Sequence, residues 1–107
     1  MICRRRYCRM ATDFEISRDE LIKKRNQGAI LLDVRSKQEY DEGHLNSAIN
    51  IPEYEINSRV EKEIPKKNQL IVIYCQYGGR SRNVYMKMKQ MGYNNIYNLK
   101  GGLENLR

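Results

Sequence analysis

The sequence carries only one histidine and three cysteines in 107 residues. Cys3 and Cys8 fall in an arginine-rich start, so Cys75 and His44 alone fall short of the four ligands of a structural zinc site. An odd cysteine count without a secretory signal argues against a disulfide framework. No apolar stretch approaches the roughly 20 residues of a membrane span. Met1 to Met10 lacks the apolar core of a signal peptide. The chain is therefore read as cytoplasmic, with no metal and no membrane partner.

Acidic residues are also missing from the start. Arg4, Arg5, Arg6 and Arg9 stand before Met10 without a carboxylate among them. The formal charge is +7, and setting aside these four leaves +3 for the rest. The body is only mildly basic, so nucleic acid is not expected as a partner. Residues 1–12 are read as a disordered basic leader, with Met10 as an alternative initiator. Residues 13–107 are read as one domain. Hydrophobic residues at 40% and charged residues at 31% suit a soluble globular core.

The elements alternate. Ser17-Arg18-Asp19-Glu20 is a capping box opening a helix that Gly28 ends. Ala29 to Val34 is a continuous apolar run, read as a buried parallel strand. Ser36-Lys37-Gln38-Glu39 opens a short second helix, stopped by Gly43. Ala48 to Ile51 is a short strand cut by Pro52. Tyr54 to Ile64 reads as an amphipathic helix ended by Pro65. Leu70 to Tyr74 is the strongest strand. Val84, Met88 and Met91 then lie on one helical face, and Gly92 closes that helix. Asn95 to Leu99 is the last strand, and Phe14 to Ile16 is a fifth if it pairs. This order predicts an α/β fold, a mostly parallel five-stranded sheet with helices on both faces. Such folds bind ligands beyond the carboxyl ends of their strands.

Cys75 stands at one of those ends, followed by Gln76-Tyr77-Gly78-Gly79-Arg80-Ser81. Gly78 and Gly79 permit unusual backbone angles and inward N–H groups, which make an anion-binding nest. Arg80 adds a fixed cation, and Arg82 is a candidate second. Ser81 can cap the following helix and hydrogen-bond into the loop. A thiol beside a helix N-terminus is favoured as thiolate, the nucleophilic form. The whole reads as a cup for an anion with sulfur at its base. The bland alternative is an inert core cysteine followed by a glycine turn.

Cys75 to Ser81 resembles the active-site loop of single-domain rhodaneses, which are thiosulfate and persulfide sulfurtransferases. Leu31-Leu32-Asp33-Val34-Arg35, with Glu39-Tyr40 and Gly43-His44-Leu45, resembles the family's first signature. Ala48 to Pro52, and Gly92-Tyr93 with Asn98-Leu99-Lys100-Gly101-Gly102, resemble later family segments. The resemblance implies a rhodanese-like fold and a catalytic Cys75 that takes up a sulfane sulfur as a persulfide. It implies that Gln76, Tyr77, Gly78, Gly79, Arg80 and Ser81 bind a small sulfur-containing anion or persulfide. A thiophilic acceptor (cyanide, a thiol or a protein) then removes the sulfur, without metal or organic cofactor. Asp33, Arg35 and His44 are read as structural, with Glu39 one helical turn from Arg35.

Four residues separate Cys75 from Arg80, whereas related phosphatases and arsenate reductases carry five. A phosphatase is therefore the weaker enzymatic reading. A binding or regulatory module that keeps the fold without turnover is the alternative outside catalysis. Gln76 stands where relatives often have a basic residue, and Tyr77 is bulky. Both point away from dianionic thiosulfate as the best donor. Relatives often place a tryptophan after the glycine pair; this chain has none, and Leu106 is a candidate to fill part of that space.

Overall fold

A computed structural model describes residues 14–106. The leader at 1–12, with Cys3 and Cys8, lies outside the described residues. Five strands form one sheet: β1 (Glu15–Ile16), β2 (Ile30–Asp33), β3 (Ile49–Asn50), β4 (Ile71–Tyr74) and β5 (Ile96–Leu99). Four α-helices alternate with them: α1 (Arg18–Asn26), α2 (Lys37–Glu42), α3 (Ile56–Glu63) and α4 (Gly79–Gln90). The strand order is β1-β5-β4-β2-β3, and every pairing is parallel. The sheet is thus wholly parallel rather than mostly so, and Phe14 to Ile16 does contribute the fifth strand.

The two faces explain the continuous apolar runs. On one side, Leu32, Ile71 and Ile73 pack with Ile56, Val60, Val84 and Met88 of α3 and α4. On the other, Leu31, Val72 and Leu99 pack with Leu21 of α1, and Tyr40 of α2 lies against them. Alternate residues of β2 and β4 point to opposite faces, and both faces are dry. That leaves no place for polar alternation. Each fully buried Ile, Leu or Val contributes about 1.5–3 kcal/mol relative to exposure.

Local signals set the helix boundaries. Both capping boxes form: Ser17 with Glu20, and Ser36 with Glu39. Gly28 and Gly92 take positive φ of 95° and 101° beyond α1 and α4, as glycine after a helix allows. One boundary differs from expectation. Glu53–Glu55 form a 3₁₀ turn after Pro52, and the α-helix begins only at Ile56. Proline fixes its own φ and supplies no N–H, so the chain enters through a tighter turn. At the far end, the buried Tyr93 hydroxyl donates to the carbonyl of Ile64, satisfying a terminal acceptor of α3.

Candidate active site

Cys75 follows directly on β4, the strand buried along its whole length. The residue is 1% exposed. Its Sγ accepts the backbone N–H of Gly78 at 3.0 Å and that of Ser81 at 3.4 Å. Both donors belong to the first turn of α4, whose positive dipole end therefore faces the sulfur. The thiol also donates to Ser81 Oγ at 3.4 Å, and that hydroxyl donates onward to the Gly78 carbonyl at 3.1 Å. A hydroxyl rotates freely, so Ser81 can instead donate to a sulfur that has lost its proton.

The glycines divide their roles. Gly78 caps α4 with a φ of 106°, a region that suits glycine. Gly79 is different: it is the first helical residue, and a methyl there would meet nothing within 4 Å. Only one of the pair is needed for backbone geometry. Gly79→Ala is expected to stabilise the protein by about 0.4–1 kcal/mol, read as a raised urea midpoint. Ser81 is not the helix cap; Gly78 holds that position, and Ser81 is the third helical residue, where its N–H reaches the sulfur.

The arginines do not all turn to the cup. Arg82 was a candidate second cation, but it pairs with Glu15 on β1, away from the loop. Arg80 holds Glu39 in a bidentate pair, at 2.7 and 3.0 Å. Arg35 does not pair with Glu39 one turn away. Its Nε and Nη2 grip the buried Asp33, and Nη2 also donates to the Gly43 carbonyl at 2.6 Å. Asp33 accepts the backbone N–H of Arg35 as well, at 2.9 Å. Burial works against the Arg35 charge, but the Asp33 hydrogen bonds and charge outweigh it, and its pKa is raised. The Asp33–Arg35 pair thus ties the end of β2 to the C-terminal end of α2.

Gln76 extends this network. Its amide oxygen accepts from Arg35 Nη1 at 3.2 Å, and its amide nitrogen donates to Glu104 at 2.6 Å. An amide suits a place between a cation and a carboxylate, because it has one acceptor end and one donor end. Tyr77, 73% exposed, stands at the rim. Arg35, Glu39, Glu42, Gly43, Gln76, Tyr77 and Leu103 line a cleft of about 540 Å³ beside the loop. His44 lies outside it, stacked on Tyr40 and bonded through Nδ1 to the Tyr40 carbonyl.

The Arg80 hydrogen bonds hold the Glu39 carboxyl down at about 2, against a burial effect that raises it; bonds from Ser36 assist. A carboxylate with a depressed pKa stabilises the fold above its ordinary pKa and loses that contribution as pH falls through the depressed one. Stability is therefore expected to decline between pH 4.5 and about 2 more steeply in the wild type than in Glu39→Gln. The pair is about one-third exposed, at 37% and 34%, so solvent screening limits the difference to on the order of 1 kcal/mol. Urea midpoints taken across that range measure it.

The closing segment supplies what local reading of the sequence missed. Gly101 and Gly102 take φ of 74° and 65°. They turn the chain so that Leu103 N–H meets the Cys75 carbonyl at 2.9 Å and Glu104 N–H meets the Gln76 carbonyl at 3.0 Å. With those carbonyls held outward, the N–H groups of the loop are left to face the sulfur. Leu106 does pack, half-buried, against the α1-side core with Leu103.

The family model for the rhodanese-like domain matches residues 17–107. The chain belongs to the rhodanese-like domain family. Within it, the chain is 35% identical over 75 residues to the thiosulfate sulfurtransferase PspE of Escherichia coli (strain K12), covering 70% of this chain and 71% of that one. It is 31% identical over 101 residues to the adenylyltransferase and sulfurtransferase UBA4 of Meyerozyma guilliermondii, which is longer: 88% of this chain matches 24% of that protein. The human single-domain sulfurtransferase TSTD1 superposes with a TM-score of 0.79 at 27% identity, covering 87% of this chain and 94% of that chain. In this rhodanese-like domain the segment from Cys75 to Ser81 joins β4 to the first residues of α4.

Proposed function

We propose that this protein is a sulfurtransferase that carries sulfane sulfur as a persulfide on Cys75. The observation that supports it is the Cys75 Sγ held at the base of its loop under the N–H groups of Gly78 and Ser81. The Cys75 thiolate attacks the outer sulfur of a donor. With thiosulfate, the S–S bond breaks, sulfite leaves with the bonding pair, and the enzyme holds Cys75–S–S⁻. With a persulfide R–S–S⁻, the thiolate R–S⁻ leaves. The loop N–H groups face the developing negative charge, and because they are fixed they need no reorganisation to stabilise it. In the second half, a nucleophile attacks the outer sulfur of the enzyme persulfide and the Cys75 thiolate is released. Cyanide gives thiocyanate; a thiolate gives a new persulfide. Two half-reactions through a covalent intermediate make the scheme ping-pong.

Persulfides or polysulfides are the favoured donors. Gln76 adds no charge, and the arginines around the loop are matched by Asp33, Glu39 and Glu15. A dianion finds little excess positive charge there. The cytoplasm, which keeps thiols reduced, suits a protein that works through a free Cys75.

Intact-mass measurement after exposure to thiosulfate, a persulfide or a polysulfide tests the reading. A gain of one sulfur, mapped to the peptide containing Cys75 and removed by cyanide or thiol, is the expected result. No gain from any of the three would leave a binding module in place of a carrier.

A further inference from the structure

We propose that Glu39 sets the donor preference of the Cys75 site by masking Arg80, the cation of the loop, and so disfavours dianionic donors. This rests on the reading of Cys75 as a sulfur carrier. The three arginines nearest the loop are each matched by one carboxylate: Arg35 by Asp33, Arg82 by Glu15 and Arg80 by Glu39. Only the last pair borders the cleft through a carboxylate that solvent reaches. Asp33 is fully buried, and Glu15 lies on β1. Glu39 lines the cleft, as does Glu42 one turn on. An incoming anion therefore meets a neutralised guanidinium and a second carboxylate.

Glu39 is also held in place independently of Arg80. Its Oε1 accepts the Ser36 backbone N–H and the Ser36 hydroxyl, each at 3.1 Å. Its own N–H donates to Ser36 Oγ at 3.2 Å. The capping box thus presents a fixed carboxylate, and both terminal nitrogens of Arg80 come to it. A donor that needs the guanidinium must compete with a bidentate partner that has already lost its side-chain freedom. The competition is hardest for thiosulfate, which carries two charges. It is milder for a persulfide, which carries one.

Glu39→Gln removes the charge and keeps the cap, because glutamine serves at that position of a capping box. Sulfur loading of Cys75 is measured with thiosulfate and with the persulfide of 2-mercaptoethanol. Glu39→Gln is expected to raise kcat/KM for thiosulfate about tenfold, mainly through KM, and that for the persulfide less than about threefold, the scale of one charge at a partly exposed site. High salt shrinks the gain. Adding Arg80→Gln to Glu39→Gln abolishes it. Equal changes for the two donors, or a fall with thiosulfate, overturn the proposal. Should Glu39→Gln fail to fold, Arg80→Gln alone gives the complementary test. It leaves Glu39 bare and is expected to cut thiosulfate loading at least about fivefold more than persulfide loading; an equal cut overturns the proposal. A wild type that loads from neither donor, nor from a polysulfide, defeats the carrier reading as well. A wild type that loads, with no shift in preference in either variant, defeats the role of Glu39 alone.

Discussion

Gly102→Ala is expected to destabilise the protein by about 2–5 kcal/mol and to slow sulfur loading at least about tenfold in the molecules that fold. The added methyl would lie 2.5 Å from the Cys75 carbonyl oxygen and 2.5 Å from that of Gln76. Neither atom is the end of a flexible side chain. Both belong to the loop, and both accept hydrogen bonds from Leu103 and Glu104. Relief therefore requires the closing segment to leave the loop, or the loop to move with its sulfur. The φ of 65° adds strain for any side chain. Gly101→Ala is the comparator: its φ of 74° brings similar strain and its methyl would lie 2.9 Å from the Asn105 Cβ, but none of the three nearest atoms belongs to the Cys75 loop, so stability is expected to fall with less effect on loading. Urea unfolding and the rate of mass gain, measured on both variants, separate the steric argument from a general intolerance of alanine. A Gly102→Ala protein with wild-type midpoint and wild-type loading would show the contact to be soft.

Cys75→Ser is expected to abolish sulfur uptake and to lower sulfur transfer by about a thousandfold or more. The hydroxyl can accept the Gly78 and Ser81 N–H bonds that the sulfur now accepts. The fold should therefore survive, with a stability change within about 1 kcal/mol. Oxygen at this site is a far weaker nucleophile toward sulfane sulfur, and the variant has no thiolate to return as leaving group. The measurement is intact mass after donor exposure, beside thiocyanate formation with cyanide as acceptor. Persistent transfer at wild-type rate would move the chemistry to another residue.

What could be read from the sequence depended on how far apart the cooperating residues lie. The sheet was legible because Ala29 to Leu32 and Leu70 to Tyr74 are unbroken apolar runs, and a run buried on both faces has one plain meaning. The capping box at Ser36 was legible because its partners are three positions apart. Cys75, Gly78 and Ser81 were legible as a cup because they share one strand–loop–helix segment. The partner of Arg80 was not, since Glu39 is 41 positions away and reaches it only once α2 is docked. Sequence proximity suggested Arg35 for Glu39; the buried Asp33, two positions from Arg35, holds that guanidinium instead. Gly102 was visible as part of a glycine pair, but its need for the absence of a side chain comes from loop carbonyls 26 and 27 positions earlier. Gly79 shows the converse: a neighbouring glycine looked equally necessary, yet its site has room to spare.

The strand order carries a consequence for how the chain acquires its shape. β1, near the start of the described residues, pairs among them with β5 alone, with Glu15 opposite Asn98. The pairing spans almost the whole domain, and such long closures slow folding because chain entropy is lost before the contact is gained. During synthesis β1 must wait, unpaired, until β5 has emerged. The carbonyls of Cys75 and Gln76 wait longer still, for Leu103 and Glu104. The Cys75 loop is thus among the last parts of this domain to be completed, and a growing chain holds its thiol without the contacts that fix the loop around it.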